Sequence, residues 1–349
     1  MTSTMGKVIT VLGVKKPEDL GVVLPHEHLN IQIPSFYTPP RGQLSEQMQN
    51  APFEMQNLGW IRQNPYTHKP NLTMEGEFDA IKNELLFFKE NGGQTVVDNT
   101  VCGLSPDYGY LKRLSESTGV NIICGTGFYI HAAQTESVLN YSEEKMADIM
   151  RSDILEGQDG IRRGIIGEIG TSWPVTDFEK RSLRSGALVQ EELGCPVIIH
   201  PGRNAKAPSE ITRILLEAGG IKDHIVMSHL DRTFSDLNML LDFAELGTYL
   251  EYDLFGIEVS HYQLTESFDM PSDAQRIQFI KSLLQEGYED KVLISHDIHT
   301  KHRLMKYGGH GFSHTLINIV PKMLSRDISH QQVDKIIKCN PQRWLTFFK

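Results

Sequence analysis

Short apolar runs recur along this chain, each followed by a stretch of helical periodicity, and that alternation restricts the fold more than any other feature. The runs are Gly21–His28, Gln94–Thr100, Asn121–Gly127, Gly164–Glu168, Cys195–His200, His224–His229, Thr248–Tyr252 and Lys291–Asp297, eight in all. Their brevity, and the polar or turn residues that end them, mark them as buried strands. In the segment Glu75–Asn91, Phe78, Ile81, Leu85, Leu86 and Phe88 fall near one helical face. Asp177–Leu193, Ser209–Gly219 and Ala274–Gly287 behave similarly, and glycine ends several of these helices, as a C-cap requires. Strand alternating with helix implies a parallel sheet, because each helix carries the chain back to the edge where the next strand starts. Eight such units close into an α/β fold of the (β/α)8 TIM barrel type. The competing arrangement, an open doubly wound sheet, calls for a Gly-x-Gly-x-x-Gly turn after the first strand. The chain reads PHEHL there.

At 349 residues the chain fits one barrel with enlarged loops, and no Pro/Gly-rich or low-complexity linker divides it. One loop is out of proportion. Leu29 to Asn71 separates the first strand from the first long helix by more than 40 residues and carries six prolines with Phe36, Tyr37, Trp60 and Tyr66. Long aromatic loops on barrels serve as lids or pocket walls, and this one is expected to do so. The formal net charge, 34 − 44 = −10, argues against a nucleic-acid partner, which needs a basic stripe. No apolar run approaches a membrane span, and Met1 to Lys7 has no apolar core of a secretory signal. Cys102, Cys124, Cys195 and Cys339 form no Cys-x-x-Cys pair and read as reduced, mostly buried thiols, so a cytosolic location is expected. Oligomeric state leaves no mark on such a pattern.

The ends of the strands carry the chemistry. The first closes on Pro25-His26-Glu27-His28, the fourth on Gly167-Glu168, the fifth on His200, the sixth on His229 and the eighth on Ser295-His296-Asp297. Barrel active sites lie at this C-terminal end. His26 and His28, two apart on a strand, project from one face and can share a metal ion. With Glu168, His200, His229 and Asp297 they make six nitrogen and oxygen ligands, enough for two divalent cations, with Glu168 as the candidate bridge. Singly, each residue has a plain structural role available, such as a strand-end ion pair for Glu168 or a helix cap for Asp297. Six together at one end of five strands favour a metal centre. His296, adjacent to Asp297, should face the other way and be structural. His68, His131, His224, His261 and His330 are scattered and are expected to be structural. Two of His299, His302, His310 and His314, which follow the eighth strand, are expected to touch substrate.

The order His26-x-His28, strand-four carboxylate, His200, His229 and Asp297 resembles the amidohydrolase superfamily, and more closely the phosphotriesterase family. The stretches KVITVLGV, LPHEHL, RGIIGEIGTSWP, GCPVIIHPGRN, VMSHLDRT, LEYDLFG and SHDIHTKHRLMKYGGHG extend that similarity over essentially the whole chain. The resemblance implies one metal-dependent hydrolase barrel spanning residues 1–349 with two divalent ions, zinc above all. It implies that His26, His28 and Asp297 hold the more buried ion, and His200 and His229 the more exposed one. The best-known phosphotriesterases bridge their metals with a carbamylated lysine on strand four. Glu168 stands there instead, which weighs against organophosphate hydrolysis.

The part of the family that these motifs resemble implies hydrolysis of N-acetyltaurine to taurine and acetate, with other N-acetyl amino acids as further substrates. Asp297 would then be the catalytic acid–base, because an amide leaving group needs a proton. No Gly-x-Ser-x-Gly elbow offers a serine nucleophile instead. A small anionic N-acyl substrate needs local cations in an acidic protein. Arg203, Arg232, Lys301 and Arg303 follow the ligand-bearing strands closely and are the candidate contacts, with Tyr129 as a pocket wall. A lactonase or phosphotriesterase-type ester hydrolase is the alternative, and a non-catalytic binding barrel the third reading.

Overall fold

The structure, a computed structural model, describes residues 4–259 and 262–349. Eight strands form one parallel sheet in sequential order. They are β1 (Val22–Glu27), β2 (Gly93–Asp98), β3 (Asn121–Thr126), β4 (Ile165–Gly170), β5 (Val197–His200), β6 (Ile225–Met227), β7 (Tyr249–Tyr252) and β8 (Val292–Ile294). The ring closes between β8 and β1, where Asp297 N–H donates to the His26 carbonyl at 3.1 Å and His26 N–H to Ser295 Oγ at 3.1 Å. The expected (β/α)8 barrel is therefore the fold. Helices Phe78–Glu90, Asp177–Leu193, Ala207–Glu217 and Asp273–Gln285 fall within a few residues of the segments expected for them. Asp177–Leu193 starts on a capping box, Thr176 with Glu179, and ends at Gly194 in left-handed conformation.

Each strand supplies one residue to a layer inside the barrel: Val23, Val97, Ile123, Ile165, Ile198, Val226, Tyr249 and Leu293. Leu20, Trp344 and Leu345 join that cluster and plug the end where the strands begin. Trp344 is fully buried, and its indole N–H donates to the Val197 carbonyl at 3.3 Å. The interior is thus a packed core that leaves only the opposite mouth for chemistry. Flanking residues such as Val197, Ile199, Ile225 and Met227 turn outward onto the helices. An N-terminal hairpin, Val8–Thr10 with Gly13–Lys15, has no counterpart in the sequence expectations.

Strand alternation is broken just below the mouth in three places. Val23 lies inside and Leu24 outside, so unbroken alternation would turn His26 outward. A register shift between Leu24 and Glu27 reverses the phase. In β4, Ile166 and Ile169 both face the helices although they are three apart, and the register shifts between them. Gly167 takes up the slip with φ +115°, and a Cβ there would sit 2.2 Å from the Ile198 carbonyl oxygen, so only glycine fits. In β6, Val226 points inward and His229 would point outward, but φ +56° at His229 swings it back.

The long loop after β1 folds on itself around helices Gln43–Met48 and Met55–Gln63. Its two ends pair through Ile33 N–H to the Leu72 carbonyl and Met74 N–H to the Ile31 carbonyl, both 2.9 Å. Gln263, from the loop after β7, accepts the Tyr66 N–H at 3.0 Å and donates to Thr67 Oγ1 at 2.9 Å, so two loops join over the mouth. Among the described residues, no helix is long and apolar enough to cross a membrane.

Candidate active site

The six residues singled out at the strand ends converge. Glu168 lies at their centre, fully buried. Its Oε2 is 3.4 Å from His26 Nε2, 3.3 Å from His200 Nδ1 and 3.5 Å from His229 Nε2. Its Oε1 is 3.3 Å from His28 Nε2. Asp297 Oδ1 approaches His28 Nε2 at 3.2 Å and His26 Nε2 at 4.0 Å. Among the described residues, the candidate metal groups are His26, His28 and Asp297; His26, Glu168 and His229; and His26, Glu251 and Asp253.

The outer nitrogens are held by groups that the sequence reading did not single out. His26 Nδ1 faces Glu251 at 3.0 Å and Asp253 at 3.1 Å. His229 Nδ1 donates to Asp253 Oδ1 at 2.8 Å, and His28 Nδ1 pairs with Thr100 Oγ1 at 2.9 Å. Each contact leaves the inner nitrogen of its ring as the one facing Glu168, which is how orienting carboxylates fix the tautomer of a metal-binding histidine. Glu251 lies on the seventh run and Asp253 one residue past its end, two apart, the same spacing that drew attention to His26 and His28. That spacing was the available signal.

Two observations test whether a divalent cation suits this cluster. His26 Nε2 and Glu168 Oε2 are buried, point at each other and have no hydrogen-bond partner. Burying lone pairs in that way is costly unless a cation or proton sits between them. The spacing also matches, since ligands about 2.0–2.2 Å from zinc in a tetrahedron stand roughly 3.4 Å apart. Charge agrees. Burial alone would push Glu168 and Asp297 up. The His26 charge, and next the nearby His200 and His229 imidazoles, instead hold Glu168 well below the carboxylate range. Asp297 is held low by His299 and His28. The donor set therefore suits a divalent metal site.

A cavity opens above the cluster. Phe36 and Tyr66 of the long loop form part of its wall, as expected of a lid, whereas Tyr37 bonds to Gln49 and Trp60 packs near His68. Tyr129 also lines it, with its hydroxyl 3.1 Å from His200 Nδ1. Two of the four histidines after β8 reach the cavity, His299 and His302, and two do not, His310 and His314. His299 Nε2 meets the Tyr66 hydroxyl at 2.9 Å, and burial first of all lowers its imidazole to about 4, keeping it neutral. His296 is structural as expected, with Nδ1 2.7 Å from Glu27 Oε1 and Nε2 accepting from Thr315. His68 Nε2 likewise meets the Ala51 carbonyl. His261 lies outside the described residues.

Arg203, Arg232 and Arg303 line the cavity, together with Arg62, which the sequence reading did not single out. Arg203 Nε donates to the Tyr262 hydroxyl at 2.8 Å, and its guanidinium lies over Phe36 and Tyr262. Arg232 is buried and donates to the Pro201 carbonyl at 3.0 Å, while its Nη1 has no partner. Burial, and next the charge of Arg203, lower the Arg232 guanidinium. Arg303 Nη1 donates to the Asp297 carbonyl at 2.7 Å, so it steadies the loop as well as facing the cavity. Lys301 corrects an expectation. Its ammonium turns away from the cavity to pair with Glu77 at 3.0 Å, because that buried carboxylate gathers Lys301, Lys306 and Tyr307.

A cluster of this kind at the mouth of such a barrel defines the class of metal-dependent barrel hydrolases. The chain belongs to the phosphotriesterase family, whose model matches residues 6–345. It is 53% identical to the N-acetyltaurine hydrolase of Danio rerio over 349 residues, covering 99% of this chain and 100% of the relative. The Homo sapiens protein of the same name is also 53% identical, with the same coverage. Among solved structures, the resiniferatoxin-binding protein from Rhodobacter sphaeroides superposes with a TM-score of 0.94 at 30% identity, over 99% of this chain and 98% of that one. The phosphotriesterase homology protein from Escherichia coli, solved with phosphate in its active site, shares the fold at a TM-score of 0.75 and 24% identity. It covers 95% of this chain and 99% of that one.

The Glu77 clamp yields a pH test. Burial alone would push its carboxyl up, but hydrogen bonds from Lys306, Tyr307 and Lys301 pull it down to about 2. A depressed folded value means that the clamp stabilises fully above the ordinary glutamate range and is lost as pH falls toward that value. The difference in urea midpoint between wild type and Glu77→Gln should therefore shrink between about pH 6 and about pH 3. A difference that does not change with pH would contradict the charged clamp.

Proposed function

We propose that the whole chain, residues 1–349, works as one amidohydrolase that splits N-acetyltaurine into taurine and acetate and accepts other N-acetyl amino acids. The observation that carries this reading is the pairing of the Glu168-centred cluster with two arginines, Arg203 and Arg232, that have no carboxylate partner among the described residues. Relatives named N-acetyltaurine hydrolase, 53% identical over the full length, support the particular substrate.

In this reading His26, His28 and Asp297 would hold one divalent ion and His200 and His229 a second, with Glu168 as the ligand they would share. Zinc suits these nitrogen and oxygen donors. Two such ions would supply a water acidic enough to lose its proton near neutral pH and would polarise the acyl oxygen. The protein's own groups do the rest. Asp297, held ionised by its neighbours, accepts the proton of the attacking water and delivers it to the leaving nitrogen, so that the amine departs neutral. His299, neutral and bonded to Tyr66, fixes the Asp297 side of the mouth.

Arg203 and Arg232 grip the sulfonate or carboxylate of the substrate, and Tyr129 and Arg303 complete the wall beside them. Lys301, spent on Glu77, takes no part. Four free cysteines suit a reducing cytosol.

Acetate release from N-acetyltaurine by the purified protein, with and without a chelator, tests the reaction. Chelator-sensitive release is expected. Turnover confined to a neutral lactone or a phosphotriester would replace this reading with the ester-hydrolase one. A second measurement tests the anion grip. Arg203→Met and Arg232→Met, made separately, should each raise KM for N-acetyltaurine by about ten-fold or more, the loss of a charged hydrogen bond, and spare a neutral lactone. Equal losses on both substrates would contradict the grip.

A further inference from the structure

Two of the six candidate ligands have left-handed backbone without being glycine, His229 at φ +56° and Asp297 at φ +49°. Residues with a Cβ avoid this region, and it persists where surrounding contacts over-determine it. Both residues have such contacts, and in each case a buried carboxylate supplies them. Asp253 accepts the His229 backbone N–H at 3.0 Å as well as its imidazole N–H. At Asp297 the carboxylate is Glu27, the middle residue of His26-Glu27-His28.

Glu27 is fully buried and does not line the cavity. Its Oε1 accepts the His296 backbone N–H at 3.0 Å and its Oε2 the Ile298 backbone N–H at 2.9 Å. One carboxylate thus pins the residues on both sides of Asp297. The same Oε1 accepts from Ser295 Oγ at 2.8 Å and meets His296 Nδ1 at 2.7 Å. Asp297 itself donates its N–H to the His26 carbonyl at 3.1 Å. Among the described residues, every hydrogen bond of the Glu27 side chain goes to the segment 295–298, which follows Ile294, the last residue of β8.

We infer that Glu27 is a positioning residue for Asp297. Its two oxygens hold the backbone on either side in the turn that aims the Asp297 carboxylate at His28. This rests on the reading above, in which Asp297 holds a metal ion and moves the proton. It assigns a purpose to the residue between the two histidines. His26 and His28 point to the centre, and Glu27, facing the other way, reaches across the barrel seam to fix the last ligand. Sequence neighbours on β1 thereby set the geometry of a residue 270 positions further on.

The test uses the full-length protein and three readouts: zinc affinity by chelator competition, kcat and KM on N-acetyltaurine, and the thermal midpoint. Glu27→Gln keeps the shape but offers an N–H2 where a backbone N–H needs an acceptor. The expected result is zinc affinity lower by about 10- to 100-fold, with kcat reduced and KM little changed. Wild-type zinc affinity and kcat in Glu27→Gln, with only the thermal midpoint lowered, would mean that Glu27 merely closes the barrel, and would overturn the inference. Asp297→Asn serves as the control for the reading beneath it. If that variant binds zinc as tightly as wild type, Asp297 is no ligand, and the inference falls with that reading. Should Glu27→Gln fail to fold, amide hydrogen exchange on the metal-free wild type decides. Slow exchange at His296 and Ile298 before metal is added supports a preset clamp, and exchange there as fast as in exposed loops overturns it.

Discussion

Everything at the mouth of this barrel is organised around one buried carboxylate facing four imidazoles. Glu168 places two oxygens within 3.5 Å of ring nitrogens from β1 and from the ends of β5 and β6. In a dry interior, bare lone pairs at such spacing repel unless positive charge lies among them. The cluster is therefore unfavourable as a piece of packing and makes sense as a receptacle for cations. The rest of the mouth answers that demand. Asp253 and Glu251 orient the rings from behind, Glu27 secures the Asp297 segment, and Gly167 gives β4 the slip that brings Glu168 inward.

The sequence was most legible where one interaction dominates over several residues. Eight apolar runs fell on eight strands, because strands buried on both faces must be apolar throughout. Asp177–Leu193 was readable to the residue because its capping box and Gly194 mark both ends. The six strand-end residues were legible from position and ligand chemistry. Their orientation was not. Counting in twos from the inward residues Val23 and Val226 would send His26 and His229 outward. The phase is set by a register shift and by one left-handed residue, neither of which has a signature in a single sequence. Lys301 was misread for a related reason. Its place after β8 was right for the cavity, but its direction depends on Glu77, more than 200 residues earlier.

Shape and charge narrow the chemistry in the same direction. The long loop after β1 brings Phe36 and Tyr66 over the mouth and is tied to the loop after β7 through Gln263. This limits the cavity to small molecules. Its cationic side chains, Arg62, Arg203, Arg232 and Arg303, outnumber its acidic ones, which are Glu168 and Asp297 of the cluster itself. Arginines without a carboxylate partner among the described residues, in an aromatic-walled cavity, suit a small anion. That combination also separates this protein from a plain lactonase, whose neutral substrate would leave such arginines without purpose.

In the proposed function, Glu168 joins two cation sites into one centre. Counting metal ions per chain by atomic emission, in wild type and in Glu168→Ala, tests it most directly. Two ions per chain are expected in the wild type and at most one in the variant, with the barrel still folded by circular dichroism. Two ions bound in both proteins would contradict it.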